Sequence, residues 1–164
     1  MKKQTTLHLA KQNFKFSSAH FLIFDDKHAE MLHGHNYQVQ AEISGPEPSA
    51  YTQQGYFVDF SVLKKTIKAH CDIWDEHILL PAKHPDMKYK KSTDEKNYEI
   101  HFRDRFYSLP IQETIWLPIT NTSVEQLSML LAENLFAEFK SLGVTAITVD
   151  IQETLGQSAR SSIS

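Results

Sequence analysis

Residues 28–44 read HAEMLHGHNYQVQAEIS. From His35 onward, His35, Tyr37, Val39, Ala41 and Ile43 alternate with Asn36, Gln38, Gln40 and Glu42. A period of two is the mark of a strand with one covered face and one wet face. GPEP at 45–48 ends it. The apolar face of such a strand needs a second layer over it, and that requirement frames the rest of the chain. The same stretch carries His33 and His35. Side chains two apart on a strand share a face, so both imidazoles project one way and can grip one ion.

Working outward, residues 7–19 predict a first strand, with Phe14 and Phe16 on one side. YFVDF at 56–60 reads as a short strand. Phe60, Leu63, Ile67, Cys71 and Trp74 then recur at steps of three and four, so 60–74 predicts an amphipathic helix, with Pro81 and Pro85 ending that run. Residues 82–97 are polar and read as a solvated loop. YEIHFRDRF at 98–106 alternates again, and with IWLPI at 115–119 it predicts a small inserted hairpin. A second helix follows. Thr122 or Ser123 can cap it, Glu125 or Gln126 is the capping partner, and Leu127, Leu130, Leu131, Leu135 and Phe139 form its apolar face. Gly143 stops it, and VTAITVDIQE at 144–153 is a last strand. The expectation is one α+β domain over 1–164, with two helices on one face of a mostly antiparallel sheet and an insertion at about 82–119.

Composition sets bounds on function. The chain has 164 residues, 41% hydrophobic and 23% charged, with a net charge of −3. That is an ordinary globular composition, and the charge gives no reason to expect nucleic acid as a partner. No stretch approaches a membrane span or a signal peptide. A single cysteine allows no internal disulfide, so a cytoplasmic protein is expected.

Nine histidines are the unusual count. A catalytic zinc takes three protein ligands and keeps one position open. His20 is the candidate third ligand, because it ends the first strand and a hairpin would bring it beside the start of the second. A cupin site would place Glu three or four residues after the HxH pair; here the next is Glu42, with six residues between. Spacing alone leaves two readings standing: a three-histidine metal site, or solvated histidines at strand ends. His28, His70, His84 and His101 read as surface residues.

FSSAH (16–20), HGHNY (33–37), FVDF (57–60), WDEHILL (74–80), NTSVEQLS (121–128) and QET (152–154) stand in one order along the chain. In that order they resemble the 6-pyruvoyl-tetrahydropterin synthase / 6-carboxytetrahydropterin synthase family, over about residues 12–160. The resemblance implies the tunnelling fold, trimers stacked as a homohexamer, and a small-molecule pterin substrate, 7,8-dihydroneopterin triphosphate. It implies Zn2+ held by His20, His33 and His35, and Glu153 as the anchor of the pterin ring. A carboxylate suits that role because it accepts two parallel hydrogen bonds. Ser123 is a further substrate contact under the same resemblance.

Two positions depart from the family pattern. Many members carry a catalytic cysteine four residues before HGH, where this chain has Ala29; Cys71 sits on the apolar face of the first helix. Glu30 is the replacement base. Members with a glutamate there are associated with cleaving the side chain to 6-hydroxymethyl-dihydropterin. In the family's Asp–His relay, Asp75 matches the aspartate, but Glu76 stands at the histidine position and His77 follows it. We take Asp75 with His77 as the relay. The expected activity is a zinc-dependent carbon–oxygen lyase of the 6-pyruvoyl/6-carboxytetrahydropterin synthase type. The alternatives are the Glu-based side-chain cleavage and a non-catalytic pterin-binding module.

Overall fold

The computed structural model describes residues 3–164. Its spine is strand β3 (His33–Ser44). Tyr37, Val39, Ala41 and Ile43 are each 1% exposed or less, so the alternation read from the sequence is one buried face. Along one edge β3 pairs antiparallel first with β2 (Lys15–His20) and then with β1 (Thr6–Leu9). The expected single strand over 7–19 is therefore two pieces, broken by a turn in which Phe14 N–H donates to Lys11 O at 3.0 Å. Along its other edge β3 pairs with β9 (Ala146–Thr154), which continues through a tight hairpin into β10 (Gln157–Ile163).

Helix α1 (Phe60–Trp74) starts where the Asp59 carboxylate accepts the Ser61 N–H at 2.7 Å, which leaves no strand at 56–60. Leu63, Ile67, Cys71 and Trp74 are buried, whereas Phe60 is 45% exposed. The helix ends at Trp74, short of either proline, because Glu76 takes φ 59° and turns the chain into β4 (His77–Pro81). Helix α2 (Val124–Phe139) is capped by Ser123, whose hydroxyl accepts the Gln126 N–H. A further turn stops at Gly143, φ 85°. Both helices pack in one core with Phe16, Val39, Ile43, Ile147, Val149 and Ile151, so they cover the same face of the sheet.

The insertion differs from the expectation. The polar stretch at 82–97 contains strand β5 (Met87–Lys91). Beside it, β6 (Asn97–Phe102) turns at Arg103 into β7 (Arg105–Pro110), and the three make a separate antiparallel sheet. IWLPI is no part of that hairpin. β8 (Thr114–Leu117) returns to the main sheet beside β4, and both β2–β4 and β4–β8 are parallel pairs. The main sheet of seven strands therefore runs β10-β9-β3-β2-β4-β8 among the described residues, with β1 beside β3. A second small core of Phe21, Ile23, Leu80, Met87, Ile100 and Phe102 joins the inserted sheet to the 21–32 loop. No helix among the described residues is long and apolar enough to cross a membrane.

The fully buried Leu131 on α2 tests this packing. Leu131→Ala is expected to lower unfolding stability by about 3 kcal/mol, with an unchanged urea m-value. A loss below ~1 kcal/mol would place α2 outside the core.

Candidate active site

The register of β2 against β3 puts His20 opposite His33 and Ser18 opposite His35. Cross-strand partners share a face, so three imidazoles meet at one end of the sheet. One ligand nitrogen from each of His20, His33 and His35 lies within 4.8 Å of the others. Ligand nitrogens ~2.0 Å from a tetrahedral ion stand about 3.3 Å apart, so small rotations close this cluster onto one ion.

The rings are also oriented for that task. His20 Nδ1 lies 2.9 Å from Thr122 O and His33 Nδ1 lies 2.8 Å from Met31 O. A carbonyl can only accept, so each Nδ1 carries the proton and each Nε2 presents a lone pair. His33 Nε2 faces His35 Nε2 at 2.9 Å, and a proton or a cation must lie between them. Burial lowers the His20 pKa from its usual 6.5 against the opposing effect of its Thr122 bond, which keeps the ring neutral and able to ligate. The donor set therefore fits an imidazole-preferring metal such as zinc with an open position.

Two carboxylates flank the cluster. Glu153 Oε1 lies 3.3 Å from His20 Nε2 and 3.7 Å from His35 Nε2, and it accepts the Tyr37 O–H at 3.3 Å. Glu30 Oε2 lies 3.7 Å from His33 Nε2 and accepts the Leu22 N–H at 3.0 Å. Tyr37 is fully buried, with its hydroxyl 3.1 Å from His20 Nε2. Burial and the nearby Glu153 charge raise its pKa above the usual 10, so it stays a donor. Sequence reading treats Tyr37 as a core residue only. Its place two residues after His35 on the same face is the signal for a site role.

The other candidates bond to backbone groups. The Asp75 carboxylate accepts the Ser17 N–H at 2.7 Å, and His77 Nδ1 pairs with Asp75 O at 2.6 Å, so the two side chains do not form a relay with each other. Ser123 spends its hydroxyl on capping α2, while Gln126 turns back to Thr120 N at 2.9 Å. Cys71 is 0% exposed, and burial pushes its thiol up to about 12, so it offers no thiolate.

A family model described as 6-pyruvoyl tetrahydropterin synthase matches residues 9–162. The chain belongs to that family. A Methanocaldococcus jannaschii protein provisionally named 6-carboxy-5,6,7,8-tetrahydropterin synthase is 31% identical over 148 residues, covering 88% of this chain and 87% of that one. The crystal structure of 6-pyruvoyl tetrahydropterin synthase from Plasmodium vivax superposes with a TM-score of 0.87 at 28% identity, covering 98% of each chain. A second structure of the P. vivax protein, at TM-score 0.87, 27% identity and the same coverage, is titled as a catalytic-residue mutant in which a glutamate is replaced by alanine. The α+β architecture is thus that of the family's solved structures.

Metal binding should follow the imidazoles. His20→Ala, His33→Ala and His35→Ala are each expected to cut zinc retained on dialysis at least ~10-fold, measured by elemental analysis. Retention should be full above about pH 7 and fall below about pH 6, because a proton on Nε2 excludes the ion. His20 itself resists protonation, because burial lowers its pKa from 6.5. By the same sign, metal-free protein loses His20's contribution to stability as pH falls below 6.5, where the unfolded chain binds the proton first.

Proposed function

We propose that the protein is a zinc-dependent lyase acting on 7,8-dihydroneopterin triphosphate, with Glu30 as its base. The observation that carries this reading is the meeting of one ring nitrogen from each of three histidines with the Glu30 and Glu153 carboxylates, while the one thiol is buried. The catalytic glutamate of the P. vivax relative supports it.

Zinc bound by His20, His33 and His35 would supply a Lewis acid that lowers the pKa of a substrate hydroxyl and polarises an adjacent carbonyl. The remaining work falls to side chains of this protein. Glu153 holds the amino and N–H edge of the pterin ring, with Tyr37 fixing its Oε1. Glu30 is fixed through Oε2 by the Leu22 N–H and takes the proton from a side-chain hydroxyl. His77 serves in a second proton transfer through Nε2, its Nδ1 being bonded to Asp75 O, while the Asp75 carboxylate holds the Ser17 N–H instead of the His77 ring. The working unit is a homohexamer of stacked trimers.

One observation favours a particular product. With Cys71 inaccessible, Glu30 is the base beside the histidines. Family members with a glutamate at this position are associated with cleavage between the two hydroxyl-bearing carbons. Glu30 takes the proton of the hydroxyl farther from the ring, and that carbon becomes an aldehyde still carrying the triphosphate. The electron pair of the broken bond passes to the carbon next to the ring, which takes up a proton and leaves 6-hydroxymethyl-dihydropterin.

Incubation with dihydroneopterin triphosphate and mass spectrometry of the products tests both statements. Glu30→Gln should lower kcat by roughly 100- to 10,000-fold with zinc content unchanged, and Glu153→Gln should act mainly on KM. A 6-carboxy or 6-pyruvoyl product would keep the lyase and remove the cleavage branch. Pterin binding without turnover would make the protein a non-catalytic pterin module.

A further inference from the structure

The segment 21–32, which carries Glu30, is an irregular loop between β2 and β3. It closes on itself at Glu30. The Glu30 N–H donates to Leu22 O at 2.9 Å, the Glu30 carboxylate accepts the Leu22 N–H, and Ile23 bridges Ala29. Those bonds fix Leu22 relative to Glu30 but leave the direction of the following peptides open. The inserted sheet supplies that direction. At the start of β7, Arg105 donates through one terminal nitrogen to Ala29 O at 2.9 Å and through the other to Glu30 O. A planar guanidinium holding two successive carbonyls sets the orientation of both peptides. Its own position is limited by the buried rings of Phe21 and Phe102, each 5.8 Å from its carbon. Next along the hairpin, Arg103 donates to Asp25 O at 2.6 Å and to the Asp86 carboxylate at 2.8 Å.

We propose that Arg105 is a positioning residue for Glu30, and that the inserted three-stranded sheet acts as a brace holding the base against the histidine cluster. This rests on the reading of Glu30 as the base. Glu30 is gripped at its amide, its carbonyl and its carboxylate. Only the carbonyl grip comes from outside the loop. Releasing it frees the Glu30 backbone to swing, and a misplacement of about 1 Å costs roughly 100-fold in rate. The loss should fall on kcat rather than KM, because Glu153, which anchors the ring, stands on β9 and is untouched.

The test compares zinc-loaded wild type, Arg105→Ala, Arg105→Lys, Glu30→Gln and the Arg105→Ala/Glu30→Gln double variant. The readouts are steady-state kinetics and amide hydrogen exchange over residues 22–30. Arg105→Lys keeps an aliphatic stem over Phe21 and Phe102 and serves if the alanine variant does not fold. Arg105→Ala should lower kcat roughly 100-fold with KM nearly constant. It should regain activity with added guanidinium and cost nothing further in the Glu30→Gln background. Lysine, which cannot fork across two carbonyls, should cause a smaller loss, and exchange over 22–30 should quicken in both variants. An equal loss with and without Glu30, or unchanged exchange, overturns the brace. Full turnover in Glu30→Gln would remove Glu30 as the base, and the exchange measurement would then decide the brace by itself.

Discussion

The pairing of β2 with β3 is the constraint on which the site depends. It sets His20 opposite His33 and brings His35 onto the same face. Because side chains alternate, a slip of one residue would send His20 to the opposite face of the sheet. The buried face guards against that slip. Phe16 on β2 stacks on Tyr37 on β3 with ring centroids 4.6 Å apart, and both rings are all but inaccessible. The core that stabilises the sheet is therefore the device that aligns the three histidines.

A second level of control comes from groups far away in the chain. His20 takes its tautomer from Thr122 O, just before α2. Asn121 beside it holds both the N–H and the carbonyl of Ile23. The segment leading into α2 thus supports the His20 ring and the loop that follows it. The inserted sheet grips the other limb of that loop through Arg105. Each device spends its hydrogen bonds on backbone groups that a surface loop would otherwise leave to water. The result is a rigid frame for a site lacking an accessible thiol, in which Glu30 and Glu153 supply the charge.

Much of the fold was legible because it is written in periods. β3, α1, α2 and β9 each bury one face, and one-sided burial leaves a period of 2 or 3.6 in the residues. β4 escaped that test for a physical reason. Leu79 faces the main core while Ile78 and Leu80 face the second, so the ILLP that follows His77 is apolar throughout and shows no alternation. β5 escaped for the opposite reason, since Met87 is its only buried residue and the lysines that follow it are exposed. β10 carries small polar residues, with Ser161 buried and its hydroxyl 2.7 Å from that of Ser128 on α2. Hydrophobic patterning gives no signal for such a strand.

For the site, the residues read in order place His33 and His35 on one face, put a histidine at the end of the preceding strand, and leave no thiol before the HGH motif. Those are properties of spacing, and spacing is local. Long-range packing brings Tyr37 into the site, selects Ser123 over Thr122 as the cap of α2, runs the hydrogen bonds of Asp75 and His77 to backbone groups, and sets Arg105 on the carbonyls around Glu30. Most of these depend on contacts across long stretches of chain, such as the 75 positions that separate Arg105 from Glu30. Such contacts leave no local pattern, because a hydrogen bond to a backbone carbonyl asks nothing of the side chain that carbonyl belongs to.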